Sequence, residues 1–205
     1  LSFMRDNPIH SPNLLIIGSS VAWRHVDGHV LTEALPEVRP MNGAFCGLFA
    51  NQSTYVGHWL LDRQPSIQSV VMIADPQDFA GCWRVPSAVF NREHVDPYVY
   101  ENASPWGHYM RFEALRGISA RLAQEGRKLM VVSTPLHPEW KEKYDPDGTF
   151  LADFDKRIME TLNATGGTYW NADKDWSTPV TSFVDAVHMR WSVVREFTAA
   201  LAEQM

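Results

Sequence analysis

The sequence is poor in cysteine, which limits the metal and disulfide chemistry open to it. Only two cysteines, Cys46 and Cys82, occur in 205 residues. Neither lies in a C-x-x-C or Cys/His ligand pattern, so we expect no structural zinc site and no other metal centre. The two thiols are compatible with a disulfide in an oxidising compartment or with two buried free cysteines. We favour the second alternative because buried free cysteine is common.

Dense basic runs and long apolar runs are also missing. The formal net charge of −6 argues against nucleic acid as a partner. No apolar run approaches the roughly 18 residues that span a bilayer, and no signal-peptide pattern is present. A chain that opens on Leu1 is compatible with an anchor or export signal ahead of it. With 45% hydrophobic residues in 205, the composition is typical of one globular domain over residues 1–205.

Short apolar runs alternate with helical patterns along the chain. This alternation predicts an α/β protein, a three-layer α/β/α sandwich with a central parallel sheet. We expect an irregular insertion at about residues 76–107 and a second proline-bearing loop over residues 134–148. The expected strands lie at 14–17, 38–41, 69–74, 128–133 and 167–170, and the expected helices at 22–35, 52–63, 112–124, 153–162 and 190–202.

The turn after the first expected strand carries Gly18, Ser19 and Ser20. A turn from a strand into a helix lies at the carboxyl edge of the sheet, where open α/β proteins bind ligands. Helix N-terminal N–H groups also favour negative charge there. A serine at this point is compatible with a nucleophile, a phosphate-binding turn or a plain helix N-cap. The turn alone leaves these three interpretations open.

A second motif, Asp185-x-x-His188, stands just before the last expected helix. An aspartate in this position can fix the tautomer of the histidine, whose other ring nitrogen then accepts a serine proton. By itself the pattern is weak, because an exposed surface histidine is the commoner interpretation. Together with Ser20 at the other end of an α/β chain, it indicates a Ser–His–Asp triad.

The order of motifs resembles the SGNH (GDSL-like) hydrolase superfamily over nearly the whole chain. The resemblance implies a flavodoxin-like topology and no cofactor. It also implies that Ser20 is the nucleophile, His188 the general base and Asp185 the group that orients it. The motifs that carry the resemblance are Gly18-x-Ser20, Asn42-Gly43-x-x-x-Gly47, a polar turn after the third strand and Asp185-x-x-His188.

The resemblance also implies an oxyanion hole. Its expected donors are the backbone N–H of Ser20 and that of Gly43 or Ala44. Members with a G-x-N-D turn after the third strand add an asparagine side chain. This chain has the sequence DPQD at residues 75–78, where Gln77 offers the same amide one methylene further out.

Within the superfamily, the sequence is more similar to the polysaccharide O-acetyltransferase branch, which includes alginate O-acetyltransferase-like and DltD-like proteins. The residues are the GSS turn and a D-x-x-H motif with no following proline. This branch implies an extracytoplasmic, periplasmic location, although a cytoplasmic one stays open. It further implies an acetylated polysaccharide or another acyl donor or acceptor, and a membrane-bound acyl-transfer partner. The sequence does not indicate an oligomeric state.

Several residues near these motifs are candidates for lining a substrate site. Aromatic residues in the irregular region are compatible with a sugar-stacking platform, a lid or simple packing. His25, five residues after Ser20, is expected to point away from the turn because it lies on a helix. Asp27, His29 and Glu33 have helical spacing, which we interpret as a solvated face rather than a metal site. The candidate lining residues are Ser19, Asp78, Phe79, Trp83, Trp106 and His137.

Three functions follow from these motifs. The first is serine-dependent transfer or hydrolysis of O-acetyl esters on a bacterial polysaccharide through an acyl-enzyme on Ser20. The second is a general carbohydrate or lipid esterase. The third is a glycan-binding module that has lost activity because of the altered turn at Gln77.

Overall fold

A computed structural model describes residues 10–79 and 108–205, with side chains of the second segment described from residue 111 onward. The strands of these segments are β1 (Leu14–Gly18), β2 (Pro40–Asn42), β3 (Ser69–Ala74), β4 (Lys128–Ser133) and β5 (Thr168–Asn171). The helices are α1 (Ser20–His25), α2 (Gly28–Ala34), α3 (Ala50–Arg63), α4 (Pro76–Phe79), α5 (His108–Gln124), α6 (Pro138–Tyr144), α7 (Thr149–Asn163), α8 (Ala172–Asp175) and α9 (Trp191–Gln204), with a 3₁₀ turn at Val180–Ser182.

The five strands form one parallel sheet in the order β2-β1-β3-β4-β5. From β1 the chain passes to β2 on one side and then crosses to β3 on the other. The carboxyl ends of β1 and β3 therefore flank the point where the strand order reverses, and ligands bind at that point in open α/β sheets. The expected parallel sheet and flavodoxin-like order are confirmed.

Alternating side chains of each strand cover both faces of the sheet, as a strand period of two requires. Leu15 and Ile17 pack with α3, α5 and α7 on one face. Leu14 and Ile16 pack with α1, α2 and α9 on the other face. Both faces are buried, so the strands are continuous apolar runs and not alternating ones. The α/β/α sandwich is confirmed in the part of the chain that the structure describes.

The single helix expected over residues 22–35 is wrong, because the chain forms α1 and α2 with a break between them. Val26 is extended, and the carboxylate of Asp27 accepts the N–H of His29 at 2.9 Å. Asp27 thus caps α2, since a side-chain oxygen at the N-cap satisfies an otherwise unpaired N–H group. The cap gives Asp27 and His29 a structural role, in line with interpreting Asp27, His29 and Glu33 as a helix feature and not as metal ligands.

The loop expected over residues 134–148 is also wrong, because it contains α6. Pro138 occupies the first turn of this helix and the ring nitrogen Nδ1 of His137 accepts the N–H of Glu139 at 3.1 Å. Proline suits the first turn of a helix because its fixed φ is already helical and its missing N–H is not needed. A proline that seemed to mark a loop therefore marks a helix start.

Some of the expected features lie outside the described residues. They are the irregular region over residues 80–107 and, within it, Cys82, Trp83 and Trp106. Because Cys82 is not described, the pairing of the two cysteines stays open. Cys46 is exposed, which makes the buried-thiol interpretation wrong for that residue. Among the residues that the structure describes, no helix combines the length and apolar character needed to cross a membrane.

Gly18 ends β1 at a point where neighbouring backbone approaches closely. Its φ is +142°, a backbone conformation that residues with a side chain rarely adopt. A Cβ at this position would lie 2.6 Å from the Cβ of Ala22 and 2.6 Å from the carbonyl oxygen of Ile73. The sheet can therefore turn directly into α1 only because residue 18 has no side chain.

Replacing Gly18 with alanine should destabilise the protein strongly. We expect the free energy of unfolding to fall by about 2–5 kcal/mol, because backbone strain and overpacking add. The matched control is Gly117→Ala, at an exposed helical position where a Cβ meets nothing within 4 Å. That change should stabilise slightly, since alanine favours helix over glycine. Urea unfolding measures both, and equal effects would contradict the close approach at Gly18.

Candidate active site

The expected nucleophile lies on the turn that Gly18 makes possible. Ser20 is half-buried and is the first residue of α1. The N–H of a residue in the first turn of a helix has no partner four residues earlier within that helix. The hydroxyl of Ser20 therefore lies beside N–H groups and the positive end of a helix, where developing negative charge is stabilised.

The structure brings Ser20, His188 and Asp185 together, although Ser20 is 168 residues from His188 in the chain. Nε2 of His188 lies 2.8 Å from Oγ of Ser20. Nδ1 of the same ring lies 2.8 Å from Oδ2 and 3.0 Å from Oδ1 of Asp185. These distances are within hydrogen-bond range, so the three side chains form one continuous chain of hydrogen bonds.

A short loop, residues 183–189, holds the carboxylate and the imidazole in place. Phe183 and Met189 pair as antiparallel neighbours, and the N–H of Val184 donates to the carbonyl of His188 at 2.8 Å. We call this segment the triad loop. Oδ1 of Asp185 also accepts the backbone N–H of His188 at 2.8 Å, so the carboxylate is fixed by its own loop as well as by the ring.

The environment of Asp185 keeps this carboxyl group charged. Burial raises the pKa of Asp185. Hydrogen bonds from the N–H groups of Val187 and His188 and from the His188 ring together lower it by more, so the pKa lies below its ordinary value. A charged carboxylate next to Nδ1 places the ring proton there. In the neutral form of the ring, Nε2 of His188 is then the accepting nitrogen and faces the hydroxyl of Ser20, as a general base requires.

His25 supports the triad loop from inside the protein. Its Nε2 accepts the N–H of Met189 at 2.9 Å, and its Nδ1 lies 2.9 Å from Oγ1 of Thr134. Since Nε2 accepts, the ring proton is on Nδ1 and donates to Thr134. Both ring nitrogens are used, so His25 is not the base. It links α1, the end of β4 and the residue next to His188.

Sequence reasoning considered His25 only as a base and missed this positioning role. A signal did exist, since His25 follows the apolar pair Val21 and Ala22 on the inner side of α1. A histidine on a buried helix face needs partners for both ring nitrogens. Its partners Thr134 and Met189 are 109 and 164 residues away in the chain, so no local pattern could identify them.

A pair of buried carboxyl groups lies behind the nucleophile turn. Asp75 follows β3, and its Oδ1 accepts the N–H of Gln77 at 2.8 Å. Burial and the nearby Asp75 raise the pKa of Asp78 well above its usual range, although a hydrogen bond with Ser19 opposes the shift. Two adjacent buried carboxylates repel each other, so the charged form of Asp78 is disfavoured. The bonds to Gln77 and Ser19 tie the pair to the turn after β3 and to the turn after β1.

Three of the expected substrate-lining residues are consequently in the interior. Ser19, Asp78 and Phe79 are all buried, and the ring of Phe79 packs 4.8 Å from that of Phe112. The lining interpretation is wrong for these three. The turn between β3 and α4 buries all of its residues from Asp75 to Phe79 except Gln77, which is half-buried.

Two of the expected oxyanion donors already have acceptors. The N–H of Gly43 donates to the carbonyl of Ile16 at 2.8 Å, which continues the pairing of β2 with β1. The N–H of Ala44 donates to Oδ1 of Asn42 at 3.0 Å. This geometry corrects the expected use of Gly43, whose N–H belongs to the sheet. Two of the expected donors therefore remain for an oxyanion: the N–H of Ser20 and the side-chain amide of Gln77, which is half-buried.

His137 lies next to the triad loop. Its backbone N–H donates to the carbonyl of Ala186 at 3.0 Å, and its ring packs edge-on against Phe183 at 5.3 Å. The structure therefore brings His137 against Ala186 and Phe183 of the triad loop. Of the other candidate lining residues, Trp83 and Trp106 lie outside the described residues.

Comparison with known proteins identifies the fold. No family model matches the chain, and no curated protein matches it in sequence. The structure is similar to TesA (TM-score 0.62, 12% identity, covering 91% of this chain and 93% of that one). It is also similar to a carbohydrate acetylesterase family member from Sinorhizobium meliloti (TM-score 0.60, 14% identity, 94% and 96% covered). The chain therefore has the SGNH hydrolase fold of these neighbours.

A third similar structure is a catalytic mutant of Axe2, an acetylxylan esterase from Geobacillus stearothermophilus. Its TM-score is 0.62 at 16% identity, with 92% of this chain and 91% of that one covered. Other Axe2 structures carry alanine at a catalytic histidine or aspartate, and that aspartate precedes the histidine by three positions. At these identities the similarity shows the fold alone.

The buried His25 should make stability depend on pH. Burial lowers the pKa of His25 to about 3 from 6.5, and repulsion from a protonated His188 and from Arg24 adds to the effect. Between these values the unfolded chain binds a proton that the folded protein excludes, so stability is full above 6.5 and falls as the pH drops. From pH 7 to pH 5 this group should remove about 2 kcal/mol of unfolding free energy.

We expect His25→Asn to lose this component of the pH dependence. Urea unfolding at pH 7 and pH 5 measures it for the wild type, the variant and the control His29→Asn, which changes an exposed histidine. The control should keep the wild-type dependence. Side-chain ¹⁵N chemical shifts of His25 provide a second measurement, and a ring that is charged at pH 5 would contradict its neutral, two-bond role.

Proposed function

We propose that this protein is a serine esterase that removes acetyl groups from O-acetylated carbohydrate through an acyl-enzyme on Ser20. The observation that carries the proposal is the hydrogen-bonded series from Oγ of Ser20 through His188 to Asp185. A neutral ring nitrogen beside a serine hydroxyl at a helix start is an arrangement suited to nucleophilic attack on a carbonyl. The similarity to a carbohydrate acetylesterase family member and to the acetylxylan esterase Axe2 supports it.

The first half of the reaction forms the acyl-enzyme. Oγ of Ser20 attacks the ester carbonyl carbon while Nε2 of His188 takes the hydroxyl proton. Asp185 stabilises the charged imidazole that results. The tetrahedral intermediate then collapses, the bond to the sugar oxygen breaks, and His188 gives its proton to that oxygen. The sugar leaves with a free hydroxyl group and the acetyl group stays on Ser20.

The second half releases the acetyl group. Water attacks the acyl carbonyl while His188 takes its proton, and the bond to Oγ of Ser20 then breaks. Acetic acid leaves and the serine hydroxyl is restored. If a sugar hydroxyl replaces water, the same steps give O-acetyl transfer. We propose hydrolysis as the main reaction because water can reach the site: Ser20 is only half-buried and 51% of the Asp185 side chain is exposed.

Replacing Ser20 or His188 with alanine should abolish hydrolysis of p-nitrophenyl acetate. We expect kcat to fall by about 10³-fold or more in each variant, and the double variant to be no worse than either, because the residues act as a unit. A fluorophosphonate should label Ser20 in the wild type only, as peptide mass mapping will show. The control Ser66→Ala changes a serine at the opposite edge of the sheet.

Activity that survives in both single variants would disprove this site. A wild type with no activity that still binds glycan would favour the binding module. Adding an oligosaccharide acceptor separates the esterase from the transferase, since only a transferase yields acetylated acceptor by mass.

Gln77 tests the oxyanion hole. If its side-chain amide donates to the oxyanion, Gln77→Ala should lower kcat by about 10²-fold with little change in KM, because the bond forms mainly in the transition state. The matched control is Gln68→Ala, an exposed glutamine at the start of β3. A change of less than a few-fold at Gln77 would mean that backbone N–H groups alone stabilise the oxyanion.

A further inference from the structure

A pocket of about 360 Å³ lies between α6 and the triad loop, on the outer side of Asp185. Small-molecule sites occupy roughly 300–1,000 Å³, so this volume suits a small ligand or one part of a longer one. We call it the α6 pocket. The lining residues that matter here are His137, Trp140 and Tyr144 from the α6 side and Phe183, Val184 and Asp185 from the triad loop.

The walls of the α6 pocket are held in place by bonds already formed. The backbone bond from His137 to Ala186 joins the two sides at 3.0 Å. Nζ of Lys141 lies 3.0 Å from the carboxylate of Asp173, which also accepts the N–H of Leu136 at 2.8 Å. The pocket therefore exists without a ligand, and binding needs little ordering of its walls.

The lining combines aromatic faces with charged groups. The rings of Trp140 and Tyr144 lie 5.6 Å apart, and Tyr144 is 59% exposed. Val184 beside them is 48% exposed. Glu139 and Lys143 add a carboxylate and an ammonium group to the same lining. A large exposed aromatic surface with polar groups at its rim is typical of a binding site.

A pyranose ring matches this combination. Its C–H face is apolar and packs on an aromatic ring, while its hydroxyl groups both donate and accept hydrogen bonds. A carboxylate and an ammonium group side by side supply one acceptor and one donor for these hydroxyls. An aliphatic chain would make no use of the carboxylate of Glu139, and a compact anion would not use the rings.

We propose that the α6 pocket is a sugar-binding subsite, with the indole of Trp140 as its stacking surface. The inference rests on the proposed function for the choice of a glycan ester as substrate. Asp185 lines the pocket and also binds His188, whose far nitrogen reaches Ser20. The pocket thus shares Asp185 with the triad, and a sugar unit bound there belongs to the same glycan chain as the esterified unit.

The proposal predicts a preference for acetylated oligosaccharides over small esters that depends on Trp140. Trp140→Ala should lower kcat/KM for acetylated xylo-oligosaccharide about tenfold more than for p-nitrophenyl acetate, mainly through KM, since stacking contributes binding. The control is Trp59→Ala, a tryptophan 42% exposed on α3, with Arg63 over its ring. It should leave both substrates unaffected.

Binding without catalysis distinguishes this subsite from the proposed function. Unacetylated xylohexaose, cellohexaose and chitohexaose are titrated into the Ser20→Ala protein by calorimetry, and Trp140→Ala is added to the same background. Binding that Trp140→Ala removes supports the subsite, even if the wild type hydrolyses no ester and the proposed function fails. The subsite is overturned if none of the three oligosaccharides binds. It is also overturned if Trp140→Ala lowers kcat/KM equally for acetylated xylo-oligosaccharide and p-nitrophenyl acetate, and in both cases Ser20-dependent hydrolysis still stands.

Discussion

The close approach between Gly18 and β3 is the constraint on which the site depends. With 2.6 Å between a would-be Cβ and the carbonyl of Ile73, the backbone of β1 can turn into α1 against its neighbour only at a glycine. That turn places Ser20 at a helix start and at the reversal point of the strand order. A side chain at residue 18 would push the turn away from β3, and Ser20 would then no longer keep its 2.8 Å contact with His188.

The second constraint is the support of the triad loop from below. Asp185 is charged and half open to water, whereas His25 is neutral and fully buried. The two residues act on His188 from opposite sides: the carboxylate orients the ring, and the bond from Met189 to His25 holds the backbone. A neutral imidazole suits the inner position because a charge there would lack solvation, and a carboxylate suits the outer one because it stabilises charge on the ring.

The sequence predicted the layers, the strand runs and the grouping of Ser20, Asp185 and His188, because each depends on local periodicity or on motif order. Features fixed by distant partners could not be predicted. Whether Gly43 donates to the sheet or to a ligand depends on its distance from Ile16, and no spacing encodes that distance. The burial of Phe79 likewise follows from the helical turn of α4, which a polar sequence did not suggest. The pattern around Pro138 predicted a loop, whereas Pro138 is the first residue of α6.

The contact between Ser20 and His188 joins residues 168 positions apart, and His188 stands close to the last residue described. Ribosomal synthesis delivers the amino-terminal part first, so β1 and α1 emerge long before their histidine partner exists. The nascent chain therefore carries an isolated serine with no base beside it. The hydrogen-bonded series from Ser20 to Asp185 can therefore form only after residues 185–188 have been synthesised.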